Sequence, residues 1–227
     1  VNNFLLVNEF SSYGIGPHSI QRSPDNQYLI IANGGIHTHP RTGRKPLNRH
    51  SMSPSLVFID IHTGKLHRKS TLPAEYRLNS IRHIAVNNHN HVFIALQNQG
   101  ELSAQEILLA EYNYTNNKLS EITIPPHIQP LLKGYLGDIV LDQSQHILAT
   151  TSPRGDLILF YDIVQKKLWY ESFVDTCGLQ ASHRAHEFII SNGQGDIRYY
   201  HANTHKHHVR SLPSHPMIHW DNHIVAL

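Results

Sequence analysis

Residues 137–174 read GDIVLDQSQHILATTSPRGDLILFYDIVQKKLWYESFV, and this stretch decides the fold. It breaks into short apolar runs at 137–142, 146–151, 157–162 and 167–174, with Gln143-Ser144 and Pro153-Arg154-Gly155 as turns between the first three. Runs of this length bounded by Gly, Pro, Ser and Asp are strand signals, and their close spacing is a meander. A second copy starts at Gly178, 41 residues after Gly137, and continues through 188–191, 197–200 and 209–212. A repeat of about 40 residues with four strands suits one blade of a β-propeller.

Working outward, two longer copies precede it. One begins near His18 and runs through 28–32, 56–60 and 65–72; the other begins near Ser80 and runs through 80–86, 92–96, 107–110 and 119–124. The second run of each copy is the most apolar, as expected of strands covered on both faces by neighbouring blades. The chain therefore reads as one all-β domain over residues 1–227, a β-propeller of four complete blades with a long insertion at 34–54. Residues 4–10 read as a lone outer strand and 220–227 as a lone inner one. An unclosed ring exposes edges, so the sequence predicts missing N-terminal residues, an unusually small ring, or self-association that covers the open edges.

Composition narrows the partners. With Lys+Arg 19, Asp+Glu 17 and a net charge of +2 over 227 residues, the chain has no basic run, which argues against nucleic acid. No apolar stretch approaches the ~20 residues of a membrane-spanning helix, so no membrane insertion is expected. The first residues, Val1-Asn2-Asn3-Phe4, carry neither Met nor the charged start of an export signal. Cys177 is the single cysteine, which excludes an internal disulfide. Histidine is the outlier: 20 residues, roughly four times the usual share of about 2%.

Several motifs occur in order along the chain: Gly14-Ile15-Gly16-Pro17-His18, then Ala32-Asn33-Gly34-Gly35-Ile36-His37-Thr38-His39-Pro40-Arg41-Thr42-Gly43-Arg44, then Ser80-Ile81-Arg82-His83. Gln97-Asn98-Gln99-Gly100, Ser152-Pro153-Arg154-Gly155, Cys177-Gly178 and Trp220-Asp221-Asn222-His223 follow. Together they resemble a bacterial family, the domain of unknown function fifteen-thirteen, whose members are exported and propeller-like. The resemblance implies a periplasmic location and a fuller ring of about seven blades, preceded by an export signal. It also implies a setting of periplasmic iron handling, beside imelysin-like and dihaem peroxidase-like proteins. It supplies no catalytic residues.

Two groups of residues carry the candidate chemistry. His18, Arg82-His83, Cys177 and His223 fall at or just before inner strands, which line a propeller's channel. His18, His83 and His223 would hold a transition metal if their nitrogens met at one point; the competing reading is that these rings lock the inner strands by bonding backbone. The inner-strand starts supply only Asp138 and Asp221 as carboxylates. The insertion brings His37, His39, Arg41, Arg44 and Asn48 with no acid between them, a basic lid suited to a carboxylate or phosphate. Arg154, held between Pro153 and Gly155, and Asn222 beside His223 complete the set. Ser152 and Cys177 lack the setting of an activated nucleophile.

These readings favour a non-catalytic binding or scaffold propeller, linked to iron or haem by the resemblance, with a small anion or a protein as partner. The alternative is a metal-dependent enzyme, of lactonase or oxidoreductase kind, built on the channel histidines. A protein-interaction platform is the second alternative.

Overall fold

The computed structural model describes residues 5–43, 45–102, 106–208, 219–220 and 223–224. They form four antiparallel sheets of four strands, each in sequential order. The first blade holds β1 (Pro17–Arg22), β2 (Tyr28–Asn33), β3 (Ser55–Asp60) and β4 (Leu66–Thr71). The second holds β5 (Asn79–Val86), β6 (His91–Asn98), β7 (Leu109–Asn113) and β8 (Lys118–Glu121). The third holds β9 (Ile139–Leu141), β10 (Ile147–Ser152), β11 (Leu157–Asp162) and β12 (Lys167–Ser172). The fourth holds β13 (Thr176–Ala181), β14 (Glu187–Asn192), β15 (Ile197–His201) and β16 (Lys206–His208). The innermost strands pack in succession, β1 on β5, β5 on β9 and β9 on β13, so the blades fan around one axis.

Strand periodicity explains the fan. Along β6, Val92, Ile94 and Leu96 join Ile30, Leu56 and Phe58 of the first blade in one core, while Phe93 and Ala95 join Leu148, Leu157 and Leu159 of the third in another. Along β11, Leu157 and Leu159 face the second blade, while Ile158 and Phe160 face Phe188, Ile190 and Tyr200 of the fourth. A middle strand thus has no solvent face, and its apolar run is continuous because alternate residues serve different neighbours.

Hydrogen bonds reinforce one of these seams. The Asp142 side chain, buried at the end of β9, accepts N–H groups of His146 and Ile147 on Oδ1, at 2.9 and 2.8 Å. Its Oδ2 accepts from Ser144 Oγ at 2.5 Å and from the backbone N–H of His186, in the next blade, at 2.8 Å. Burial alone would raise this carboxyl's pKa, but the donors from Ser144, Ile147 and His186 outweigh it and hold the group below the ordinary carboxylate range.

Three expectations are revised. Residues 5–10 form no strand. The chain is held at Phe10 and Tyr13 instead: Phe10 lies against Gly64, where a Cβ would sit 2.1 Å from its ring, and the Tyr13 hydroxyl donates to the Gly64 carbonyl at 3.1 Å. The third strand of the second blade begins at Leu109 rather than at 107. Ile107 and Leu108 are a buried lead-in, which hydrophobicity alone does not separate from strand. The fourth strand of the last blade is Lys206–His208, ahead of the expected 209–212. Residues 209–212, and most of the expected inner strand at 220–227, lie outside the described residues.

Asp142→Ala should lower stability by about 2–4 kcal/mol in urea unfolding at neutral pH, because several backbone donors lose their acceptor at once. A carboxyl held below its unfolded-state pKa stabilises above that range and ceases to as pH falls through its folded value. The gap between wild type and variant should therefore close in acid; a gap constant with pH would contradict this role.

Candidate functional site

Each inner strand is irregular at the same place. The ladder of β1 with β2 skips His18, that of β5 with β6 skips Arg82, and that of β13 with β14 skips Cys177 and Gly178. Ahead of β9, Gly137 donates to the Thr151 carbonyl at 2.7 Å while Thr151 donates to the Asp138 carbonyl at 2.9 Å, so two residues again face one. A bulge of this kind turns a side chain out of the alternation of its strand. Repeated in every blade, it gathers His18, Arg82, Asp138 and Cys177 at one mouth of the channel.

These residues line a cavity of about 600 Å³ with His83, Gln97, Tyr135, Arg154 and His223. The His18 and His83 rings meet edge to face at 4.6 Å between centroids, and His223 lies 4.7 Å from His83. His223 Nδ1 is 3.5 Å from Asp138 Oδ2. The Asp138 carboxylate is fixed from behind by the N–H of Ile139 to Oδ1 at 3.0 Å and by the N–H of Leu179, in the fourth blade, to Oδ2 at 3.2 Å. Arg82 donates through Nε to Gln97 Oε1 at 2.8 Å, with a further bond from Nη2 to the same oxygen. Arg154 rises from a 3-10 turn, Pro153–Gly155, with its guanidinium 5.2 Å above the Tyr135 ring. Among the described residues it has no carboxylate within ion-pairing distance. An added Cβ at Gly155 would stand 2.4 Å from the Leu131 carbonyl oxygen, so the turn requires glycine there.

The site keeps two of its imidazoles, those of His18 and His83, neutral. Burial, then the positive charge of Arg82 and the nearby His223, push His18 down to about 4. Burial, then His18, His223 and Arg82, push His83 down to about 3. The mouth thus combines fixed guanidinium charge, the neutral rings of His18 and His83 and, among the described residues, one well-held carboxylate.

The expected residues divide into four groups. His18, Arg82, His83, Arg154 and His223 all line the cavity. His37, His39 and Arg41 are exposed, and the insertion's contribution to the wall is Gly34, Ile36, Thr38 and Gly43 instead. Asn48 is buried and braces the insertion, accepting from the His37 N–H at 2.7 Å and donating to the Gly35 carbonyl at 2.9 Å. Arg44 and Asn222 lie outside the described residues. Asp138, noted in sequence only as a scarce carboxylate, proves central, and its signal was the Gly-Asp pair at an inner-strand start.

The fold has solved counterparts. A crystal structure of the RRP9 WD40 repeats superposes with a TM-score of 0.62 at 10% identity, covering 88% of this chain and 52% of that one. The structure of U3-55K gives 0.61 at 10% identity, covering 88% and 53%. The β-propeller domain of Myceliophteria thermophila Cps50 (Swd1) gives 0.57 at 13% identity, covering 86% and 54%. The chain thus has the β-propeller fold, and it spans about half the length of these structures. It belongs to the family described as protein of unknown function (DUF1513), which matches residues 1–227. No curated protein matches the sequence. Among the described residues, no helix is long and apolar enough to cross a membrane.

Depressed histidine pKa values have a direct consequence. The unfolded chain protonates these rings near 6.5, whereas the folded chain does so only near 4 for His18 and 3 for His83. Between those limits the unfolded state holds more protons, so stability is full above the upper limit and falls as pH drops through the window. In EDTA-treated protein, the unfolding free energy should fall between pH 6.5 and 4 more steeply in wild type than in the His18→Gln/His83→Gln double variant. Parallel slopes would show that the rings titrate normally.

Proposed function

We propose that this propeller is a non-catalytic binding protein whose channel mouth holds a small anion, a carboxylate or phosphate, and that it works in the periplasm in iron or haem handling. The observation that carries the anion is Arg154. Its guanidinium faces the cavity from a rigid turn without an ion-pair partner among the described residues. Arg82 adds a second positive charge on the same cavity, oriented by Gln97. A guanidinium fork matches the two oxygens of a carboxylate or phosphate, and a partly enclosed cavity strengthens that attraction. The location and the iron setting rest on family resemblance alone.

The binding reading is favoured over hydrolysis by the state of the Ser152 hydroxyl. Ser152 Oγ sits 2.9 Å from the Tyr135 carbonyl and 3.1 Å from that of Leu132, so its proton is committed to backbone. An attacking serine needs a base beside it instead.

Calorimetric titration of EDTA-treated protein with citrate, and separately with inorganic phosphate, tests this reading. At least one should bind, with affinity that falls as salt is raised. Arg154→Gln should weaken that binding by about 10–100-fold, the worth of a charged hydrogen bond. Binding of neither anion, or equal affinity in the variant, would overturn the assignment.

A further inference from the structure

We propose that His83, Asp138 and His223 form a binding site for one divalent transition-metal ion, with a coordination position open to the channel cavity. The three donors come from places remote in sequence: β5, the start of β9 and the C-terminal segment. One ligand atom from each lies within 4.8 Å of the other two. Asp138 Oδ2 and His223 Nδ1 are 3.5 Å apart. Two ligands at about 2.0–2.1 Å from a tetrahedral zinc ion stand about 3.3–3.4 Å apart. That edge is therefore already near its bound length. His223 has half its side chain exposed and so has room to close the remaining gap.

The surroundings are those of a ligand set rather than of a simple ion pair. Backbone N–H groups on both Asp138 oxygens, from Ile139 and Leu179, fix the carboxylate's orientation before any ion arrives. His18 packs its ring edge to face against His83 and so sets the plane of that ring. Such outer contacts are what hold metal-ligating side chains in register. Two imidazoles sharing one carboxylate exceed what a single hydrogen-bonded pair requires. The nitrogen-rich set suits zinc or ferrous iron and is poor for calcium or magnesium, which take oxygen. Three protein ligands leave room for water or an anion, and Arg82 and Arg154 line the same cavity. His18, placed in the ligand set by the sequence reading, becomes a positioning residue in this assignment.

Histidine abundance makes adventitious binding the competing explanation, so the experiment must separate one site from many. EDTA-treated full-length chain is titrated with Co²⁺ while visible absorption is followed. One equivalent should give the intense bands of a four- or five-coordinate ion, and Zn²⁺ should displace it. Asp138→Asn and His83→Gln should each weaken this binding by at least about 100-fold, and His18→Gln by about tenfold. His127→Ala, at an exposed histidine outside the three-residue cluster, should leave it unchanged. If His83→Gln fails to fold by circular dichroism, His223→Gln replaces it. Weak bands alone, or equal affinity in wild type and Asp138→Asn, would overturn the site. The anion reading is tested without metal, so the two fail separately.

Discussion

Burial of the middle strands of the second and third blades on both faces is the constraint from which the rest of the structure follows. Phe93 and Ile94 on β6 are adjacent and fully buried, yet they belong to different cores, one on each side of the blade. Each side chain contributes about 1.5–3 kcal/mol on leaving water. A blade therefore cannot slide or tilt without opening two cores at once. That locks the inner strands at a set distance and makes the channel mouth a fixed geometric object. The bulges at His18, Arg82, Asp138 and Cys177 then act on a rigid frame. Side chains turned out of their ladders have only the channel to enter.

What meets there is electrostatically lopsided. Two guanidinium groups and three imidazoles line the cavity with one carboxylate from the described residues, that of Asp138. The protein resolves the crowding by keeping His18 and His83 uncharged and by binding Arg82 to a neutral amide, Gln97. A neutral imidazole offers a lone pair, which makes it a donor toward a cation while the guanidinium groups favour an anion. Both ligand classes thus have complementary partners in one cavity, and a bound cation would strengthen the hold on an anion beside it.

The fold was largely legible in the sequence because blade strands leave two strong marks, apolar runs and turn residues at a regular spacing. β11 agrees in both ends with the run read at 157–162, and β2 and β3 agree to within a residue. Legibility failed where burial and strand pairing part company: Ile107 and Leu108 are core without being strand. The site was legible as a set of inner-strand positions, because blade repetition says which residues start an inner strand. It was not legible as a geometry. The exposed His37, His39 and Arg41 look in sequence much like His83, since composition records the chemistry of a loop but not the direction its side chains take. Asp138 was undervalued for the converse reason. A single carboxylate carries little weight in a sequence, yet here it is oriented by N–H groups from two blades.

The central claim is that the channel mouth is preassembled around the neutral rings of His18 and His83. Nitrogen-15 NMR titration of the imidazole rings in EDTA-treated protein tests it most directly. The account predicts that His18 and His83 stay neutral down to about pH 5. Titration of all resolved rings together near 6.5 would contradict it, and would mean that the mouth is open to water and holds no built site.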